Sequence, residues 1–143
     1  KGIKAIAAKD GITAIKIKSG RMLLAYGFLR KVFEVFERFK TPIDMITTSE
    51  VAVSVTIDDT TYLSEIMEEL KYYGAVEVDS EQTIICIVGE NLIEQKGIIN
   101  EVFEALKHFN LRMISYGGSR HSISILVSAS DRKEALNSLN GIF

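Results

Sequence analysis

The chain repeats itself at a spacing of 70 residues, and this constrains its fold more than any other feature. Gly27-Phe28-Leu29-Arg30-Lys31-Val32-Phe33-Glu34, running on to Phe39, lines up with Gly97-Ile98-Ile99-Asn100-Glu101-Val102-Phe103-Glu104, running on to Phe109. The same spacing pairs Thr13 with Thr83, Ile15 with Ile85, Ile17 with Ile87, Ser49 with Ser119 and Ser54 with Ser124. One spacing that holds through several kinds of segment means two copies of one folding unit.

In the first copy, Ile12 to Ile17 alternates as a strand does. Apolar residues at 28, 29, 32, 33, 36 and 39 follow helical spacing. Pro42 bars helix and opens a strand over Ile43–Thr47. Val51, Val53, Val55 and Ile57 alternate with Ala52, Ser54 and Thr56, which predicts a half-buried strand. Asp58-Asp59-Thr60-Thr61 offers helix N-caps. A stripe of Leu63, Ile66, Met67 and Leu70 follows, Gly74 ends that helix, and Ala75–Val78 closes the unit as a short strand. The order βαββαβ is that of a ferredoxin-like split βαβ unit.

The second copy reads as strand 83–88, helix 98–109, strand 112–116, strand 121–127 and helix 131–139. Ser130-Asp131 with Glu134 is a capping pattern for the last helix. This copy lacks a sixth strand, and an unfilled sheet edge is a liability. Residues 2–8 alternate like a strand and are expected to fill it. The fold class is therefore α+β: two βαββαβ units with antiparallel sheets and helices on one face, the first inserted into the second. The first unit is expected at 11–80, the second at 1–10 and 81–143.

Composition excludes several functions. A net charge of −2 argues against a general nucleic-acid partner, which needs a basic stripe. No run approaches the ~20 apolar residues of a membrane span, and no secretory leader is visible. The single cysteine, Cys86, lies in Ile84-Ile85-Cys86-Ile87-Val88 and reads as a buried small hydrophobe. It allows no internal disulfide and no zinc set, and it points to a cytoplasmic protein. The chain does not begin with Met, which predicts a piece of a longer protein. Neither His108 nor His121 has a nucleophile beside it in the sequence, so no catalytic residue and no metal ligand is expected. Gly117-Gly118-Ser119-Arg120 is too short for a phosphate loop and reads as a turn.

The first copy carries the stronger case for a ligand. Gly27 opens a helix, whose free N–H groups suit a carboxylate. Asp44 stands in an otherwise apolar strand, and the strand alone leaves open whether it meets a ligand or solubilises an edge. Glu50 follows in the hairpin. At constant spacing Asp44 aligns with Ile114, Glu50 with Arg120, and Thr47 and Thr48 with Gly117 and Gly118. The copies share positions that make the fold and differ at charged ones, which suggests one liganded site per chain. A helix N-terminus with two carboxylates matches a dibasic amino acid such as lysine.

Gly27-Phe28-Leu29 with Val32-Phe33, followed by Ile43-Asp44-Met45-Ile46-Thr47-Thr48-Ser49-Glu50-Val51, resembles the regulatory region of aspartate kinases, closest to the monofunctional lysine-sensitive class. In the second copy Val102-Phe103, Arg112-Met113-Ile114-Ser115-Tyr116-Gly117 and Ser119 carry the same likeness, which covers essentially the whole chain. The resemblance implies tandem ACT domains behind an amino-terminal kinase domain that phosphorylates aspartate with ATP and Mg, none of which this portion would bind or catalyse by itself. It implies a homodimer through the first ACT domain, and feedback inhibition by an end-product amino acid bound near that interface. Carried over, the effector contacts fall on Met22, Ala25, Gly27, Phe28, Leu29, Ile43, Asp44, Ser49 and Glu50. The Gly27–Leu29 backbone would hold the carboxylate, and Asp44 and Glu50 the ammonium groups. Leu24 and Ala25 stand where lysine-sensitive relatives tend to carry His and Ser, and Pro42 where Ser is common. These departures keep open a sensor of another amino acid such as threonine, or a dimerisation module whose site has degenerated. An RNA-binding ferredoxin-like domain would need aromatic residues on the strand Val51–Ile57, which has none. An acylphosphatase-like enzyme would need an Asn partner for Arg30, and none is evident.

Overall fold

The structure, a computed structural model, describes residues 2–20 and 26–143. Its elements are β1 (Ala5–Lys18), α1 (Phe28–Arg38), β2 (Ile46–Thr48), β3 (Ala52–Ile57), α2 (Leu63–Leu70), β4 (Ala75–Val88), α3 (Ile98–Ala105), β5 (Met113–Ser115), β6 (Ser122–Ser128) and α4 (Arg132–Asn140). They divide into an inner unit, Ile12–Ser80, and an outer unit, Lys1–Gly11 with Glu81–Phe143. In the inner unit the strands lie in the order β4, β1, β3, β2, with β3 antiparallel to both neighbours. In the outer unit the order is β1, β4, β6, β5, with β6 antiparallel to both neighbours. Each is the βαββαβ ferredoxin-like arrangement that the pattern predicts.

The inner core forms where the two periodicities meet. Ile15, Ile17, Val53, Val55 and Ile57, all on one face of the sheet, pack on Phe28, Val32, Val35 and Phe36 of α1 and on Ile66 and Leu70 of α2. The outer core repeats this with Ile85, Ile87, Ile123, Ile125 and Val127 against Ile98, Val102, Leu106, Ala135 and Leu139. Three seam positions are smaller in the outer unit: Ala105 for Val35, Leu106 for Phe36, and Ala135 for Ile66. Open clefts of about 440 and 490 Å³ lie along its helices, sharing His108 and Ser138.

Several boundaries differ from the sequence reading. The strands expected at 2–8 and 12–17 are one strand, β1, and those at 75–78 and 83–88 are one strand, β4, each of 14 residues. Polar, turn-rich sequence between them suggested breaks. Instead each strand runs on through one left-handed residue, Gly11 at φ 72° and Glu81 at φ 56°. These two are repeat mates, and the left-handed region costs glycine little and glutamate more. The strand expected at Ile43–Thr47 begins only at Ile46, because Asp44 and Met45 both face Thr56. β3 is buried on both faces, not one: Ser54 and Thr56 are 7% and 0% exposed. The helix expected to reach 109 ends at Ala105.

Capping also departs from expectation. Asp131 makes no side-chain cap to α4; Ser128 accepts from Ser130 N–H one turn earlier. Asp59 Oδ1 accepts from both the N–H (3.0 Å) and the hydroxyl (2.7 Å) of Thr61, ordering the turn ahead of α2. Those bonds favour the ionised form and hold the Asp59 carboxyl below its ordinary value. Cys86 is half-buried, with the Ser124 hydroxyl 3.8 Å from its sulfur. Gly74 does more than end a helix: a Cβ there would lie 2.3 Å from the Lys18 carbonyl oxygen, so the backbones meet where only glycine fits.

Candidate functional site

The structure tests the repeat through its hydrogen-bond register. β3 and β6 keep the spacing of 70: Lys16 faces Ser54 as Cys86 faces Ser124. β2 and β5 do not, since Ser54 is faced by Thr47 but Ser124 by Ser115. The counterpart of Asp44 is therefore Arg112, not Ile114. Asp44 N–H donates to the Thr56 carbonyl at 2.9 Å, and Arg112 N–H to the Leu126 carbonyl at 2.8 Å. Thr47 and Thr48 match Ser115 and Tyr116, and Gly117-Gly118 is extra to the outer hairpin. The inner unit carries its own two extra residues between Phe39 and Asp44, around Thr41 and Pro42, so the slip cancels before and after β2. Beyond the insertion the spacing of 70 returns, and Glu50 matches Arg120. Both acids of the inner unit are thus arginines in the outer one.

At the hairpin end of the inner unit, α1 starts at Gly27, which is left-handed (φ 80°) and leaves the first turn without a side-chain cap. Nothing lies within 4 Å of a Cβ placed there, so glycine is required by conformation and the space above it is open. Phe28 points into the core at 7% exposure, while Leu29 is 39% exposed. β1 ends opposite Ala52, and Ser19 N–H donates to the Val51 carbonyl at 2.7 Å. The loop leading to Gly27 therefore leaves from beside the Ser49–Val51 turn. Met22, Ala25 and the substituted Leu24 lie outside the described residues.

Ser49 has a local task. Its Oγ accepts from Val51 N–H at 3.3 Å, closing the turn, while Ser49 N–H donates to the Ala52 carbonyl at 2.8 Å. Ser119 Oγ accepts from His121 N–H at 3.1 Å in the same way. Turn chemistry accounts for this serine in both copies. Glu50 sits exposed at the tip.

Asp44 belongs to the other end of β2. It is exposed and held through the backbone to Thr56, which lies four positions along β3 from Ala52, about 13 Å. Ile43 is half-buried against the inner core, and exposed Pro42 follows Thr41, whose hydroxyl donates to the Phe39 carbonyl at 3.0 Å. The fold thus gathers Gly27, Phe28, Leu29, Ser49 and Glu50 at one end of the edge strand, and Ile43 and Asp44 at the other. Sequence reasoning missed Thr56; its only signal was a polar residue in a strand that proved buried on both faces.

In the outer unit the matching hairpin is bonded to its own chain. Arg120 Nε lies 3.5 Å from Glu94 Oε2, Asn91 N–H donates to His121 Nδ1 at 2.9 Å, and the Tyr116 hydroxyl donates to the Ile93 carbonyl at 3.4 Å. The hairpin grips the loop ahead of α3. Among the described residues no cluster of His, Cys, Asp and Glu could hold a metal ion, and no helix is long and apolar enough to cross a membrane.

Known proteins share this plan. The ACT domain family profile matches residues 85–143. A structure assigned to the C-terminal regulatory domain of aspartate kinase from Porphyromonas gingivalis W83 superposes with a TM-score of 0.88 at 49% identity, covering 99% of this chain and 97% of that one. Lysine-sensitive aspartokinase 3 of Escherichia coli K12 is 34% identical over 145 residues, which take in 96% of this chain and 32% of that protein. The structure of E. coli aspartokinase III in complex with lysine and aspartate (T-state) matches with a TM-score of 0.86 at 33% identity, over 99% of this chain and 33% of that one. The chain spans between about a quarter and a third of the length of the curated relatives it matches. Its repeat, its fold and the near-complete match to the P. gingivalis domain make it a member of the aspartate kinase C-terminal regulatory domain family.

Proposed function

We propose that this chain is the effector-sensing part of an aspartate kinase, and that its inner unit binds L-lysine as a feedback inhibitor. The observation that carries this is the placement of charge along β2. A helix N-terminus and Glu50 lie at one end of the edge strand and Asp44 at the other, beside positions of β3 that are about 13 Å apart. Carboxylate side chains reaching inward from both ends would narrow that gap to suit a ligand with a carboxylate and an ammonium at one end and a second ammonium on an aliphatic chain. Threonine has no second ammonium. The outer unit, with arginines at both acidic positions, does not offer this pattern. The E. coli relative crystallised with lysine has the same fold.

In this reading the whole protein carries an amino-terminal kinase domain that uses ATP and Mg to phosphorylate aspartate, and it works in the cytoplasm. Two copies pair through the inner unit, where β2 is an edge strand and Ile46 and Val51 are 47% and 38% exposed. Lysine inhibits by preferring the inactive arrangement of the whole enzyme. The test is isothermal titration of this chain with L-lysine, with L-threonine and L-methionine as controls, repeated on Asp44→Ala. Saturable lysine binding that the substitution removes is expected. No heat with any of the three, from a folded dimer, would leave a dimerisation module with a degenerate site.

A further inference from the structure

Building on the lysine-site reading, and resting on it, we infer that Thr56 is a positioning residue that aims the Asp44 carboxylate. Thr56 is fully buried, at 0% exposure. It meets the segment carrying Asp44, just ahead of β2, through three bonds. Its carbonyl accepts from Asp44 N–H at 2.9 Å, its hydroxyl accepts from Met45 N–H at 2.8 Å, and its own N–H donates to the Met45 carbonyl at 3.0 Å. The two accepted amides belong to the peptide groups on either side of the Asp44 Cα. Fixing both sets the backbone dihedrals of Asp44, and with them the direction of its Cα–Cβ bond.

The outer unit supplies the control. Leu126 stands where Thr56 does, its carbonyl takes the Arg112 amide at 2.8 Å, and Met113 faces it in the ladder. Leucine has no hydroxyl, so the second anchor exists only in the unit that carries the acid. Packing does not call for threonine: valine has nearly the same shape, and a buried hydroxyl is costly unless bonded. The bond it makes is to the amide next to Asp44.

The test compares Thr56→Val, which deletes the acceptor, with Thr56→Ser, which keeps it. Lysine affinity is measured by titration, and the side-chain carboxyl 13C signal of Asp44 is followed by NMR in the ligand-free chain. Thr56→Val is expected to weaken lysine binding about tenfold and to shift the Asp44 signal, while Thr56→Ser leaves both near the parent values. A loss of lysine affinity in Thr56→Ser equal to that in Thr56→Val, or an unchanged Asp44 signal in folded Thr56→Val, overturns the inference. If Thr56→Val does not fold, Thr56→Cys keeps the volume with a weak acceptor and takes its place. A parent chain that binds no lysine sinks the lysine-site reading alone, and the ligand-free NMR comparison then decides the role of Thr56.

Discussion

Three residues separate β2 from β3 in the inner unit, whereas six separate β5 from β6 in the outer one. The short hairpin leaves Glu50 exposed at its tip; the long one bends over the loop ahead of α3 and holds it through Arg120, His121 and Tyr116. The sheet sides of the cores beneath are nearly interchangeable, with isoleucines and valines at matching positions. One plan can therefore leave its hairpin tip exposed or tie it to the neighbouring loop, with two inserted glycines and one reversed charge, Arg120 for Glu50. The differences in charge lie at the rim, where substitution is cheap, while the cores differ in side-chain size at three helix-seam positions.

The largest effect should come from making the inner rim resemble the outer one. Asp44→Arg with Glu50→Arg is expected to weaken lysine binding more than about a thousandfold in titration, about 4 kcal/mol, because each acid is replaced by a charge that repels ammonium. The reciprocal pair Arg112→Asp and Arg120→Glu should leave lysine affinity unchanged, and a loss there would move the site to the outer unit. Next is the helix seam. Ile66→Ala copies Ala135 of the outer unit and should cost about 3 kcal/mol in urea unfolding, because Ile66 is fully buried. A cost below about 1 kcal/mol would show that the inner seam collapses as readily as the outer one is built.

Smaller effects sharpen the turns. Ser49→Ala and Ser119→Ala should each cost about 1 kcal/mol or less in unfolding, and by similar amounts, since both hydroxyls accept the amide two residues on. A much larger effect of Ser49→Ala on lysine affinity than on stability would mean that its oxygen also meets the ligand. The smallest effect is at Asp59. Its carboxyl titrates lower in the folded chain than its ordinary value of 3.8, so its contribution is present above that pH and lost as pH falls through the lower folded value. Unfolding midpoints across acid pH should therefore show less acid sensitivity for Asp59→Asn than for the parent chain.

What the sequence made legible, and what it hid, follows from the same comparison. The first helix was legible because Phe28, Val32 and Phe36, read at helical spacing, do lie on one buried face, which Val35 completes. The repeat was legible because Gly27 and Gly97 both start helices in the left-handed region, which few other residues tolerate. The slip at β2 was hidden because two extra residues before it in one copy are offset by two after it in the other. An ungapped comparison then set Asp44 against Ile114 and missed its charge-reversed counterpart, Arg112. Thr56 was hidden because period-2 alternation assigns it to a polar face, and only the bond from Met45 N–H shows why a hydroxyl is buried there. The joined strands were hidden because nothing local marks Gly11 and Glu81 as residues that let a strand continue.

Those joined strands also bear on how the chain reaches its folded state. Residues 12–80 contain every segment of the inner unit in one stretch, so that unit can assemble from contacts close in sequence. The outer unit must bring its first eleven residues together with a segment that starts seventy residues after them. Closing so long a loop costs only modestly more than closing a short one, but its contacts form late, because they wait on distant parts of the chain. During synthesis from the amino terminus, the first half of β1 emerges well before β4 and β6 exist to shield it. An inner unit that folds early would shorten the effective distance between those ends, and so lower the cost of completing the outer one.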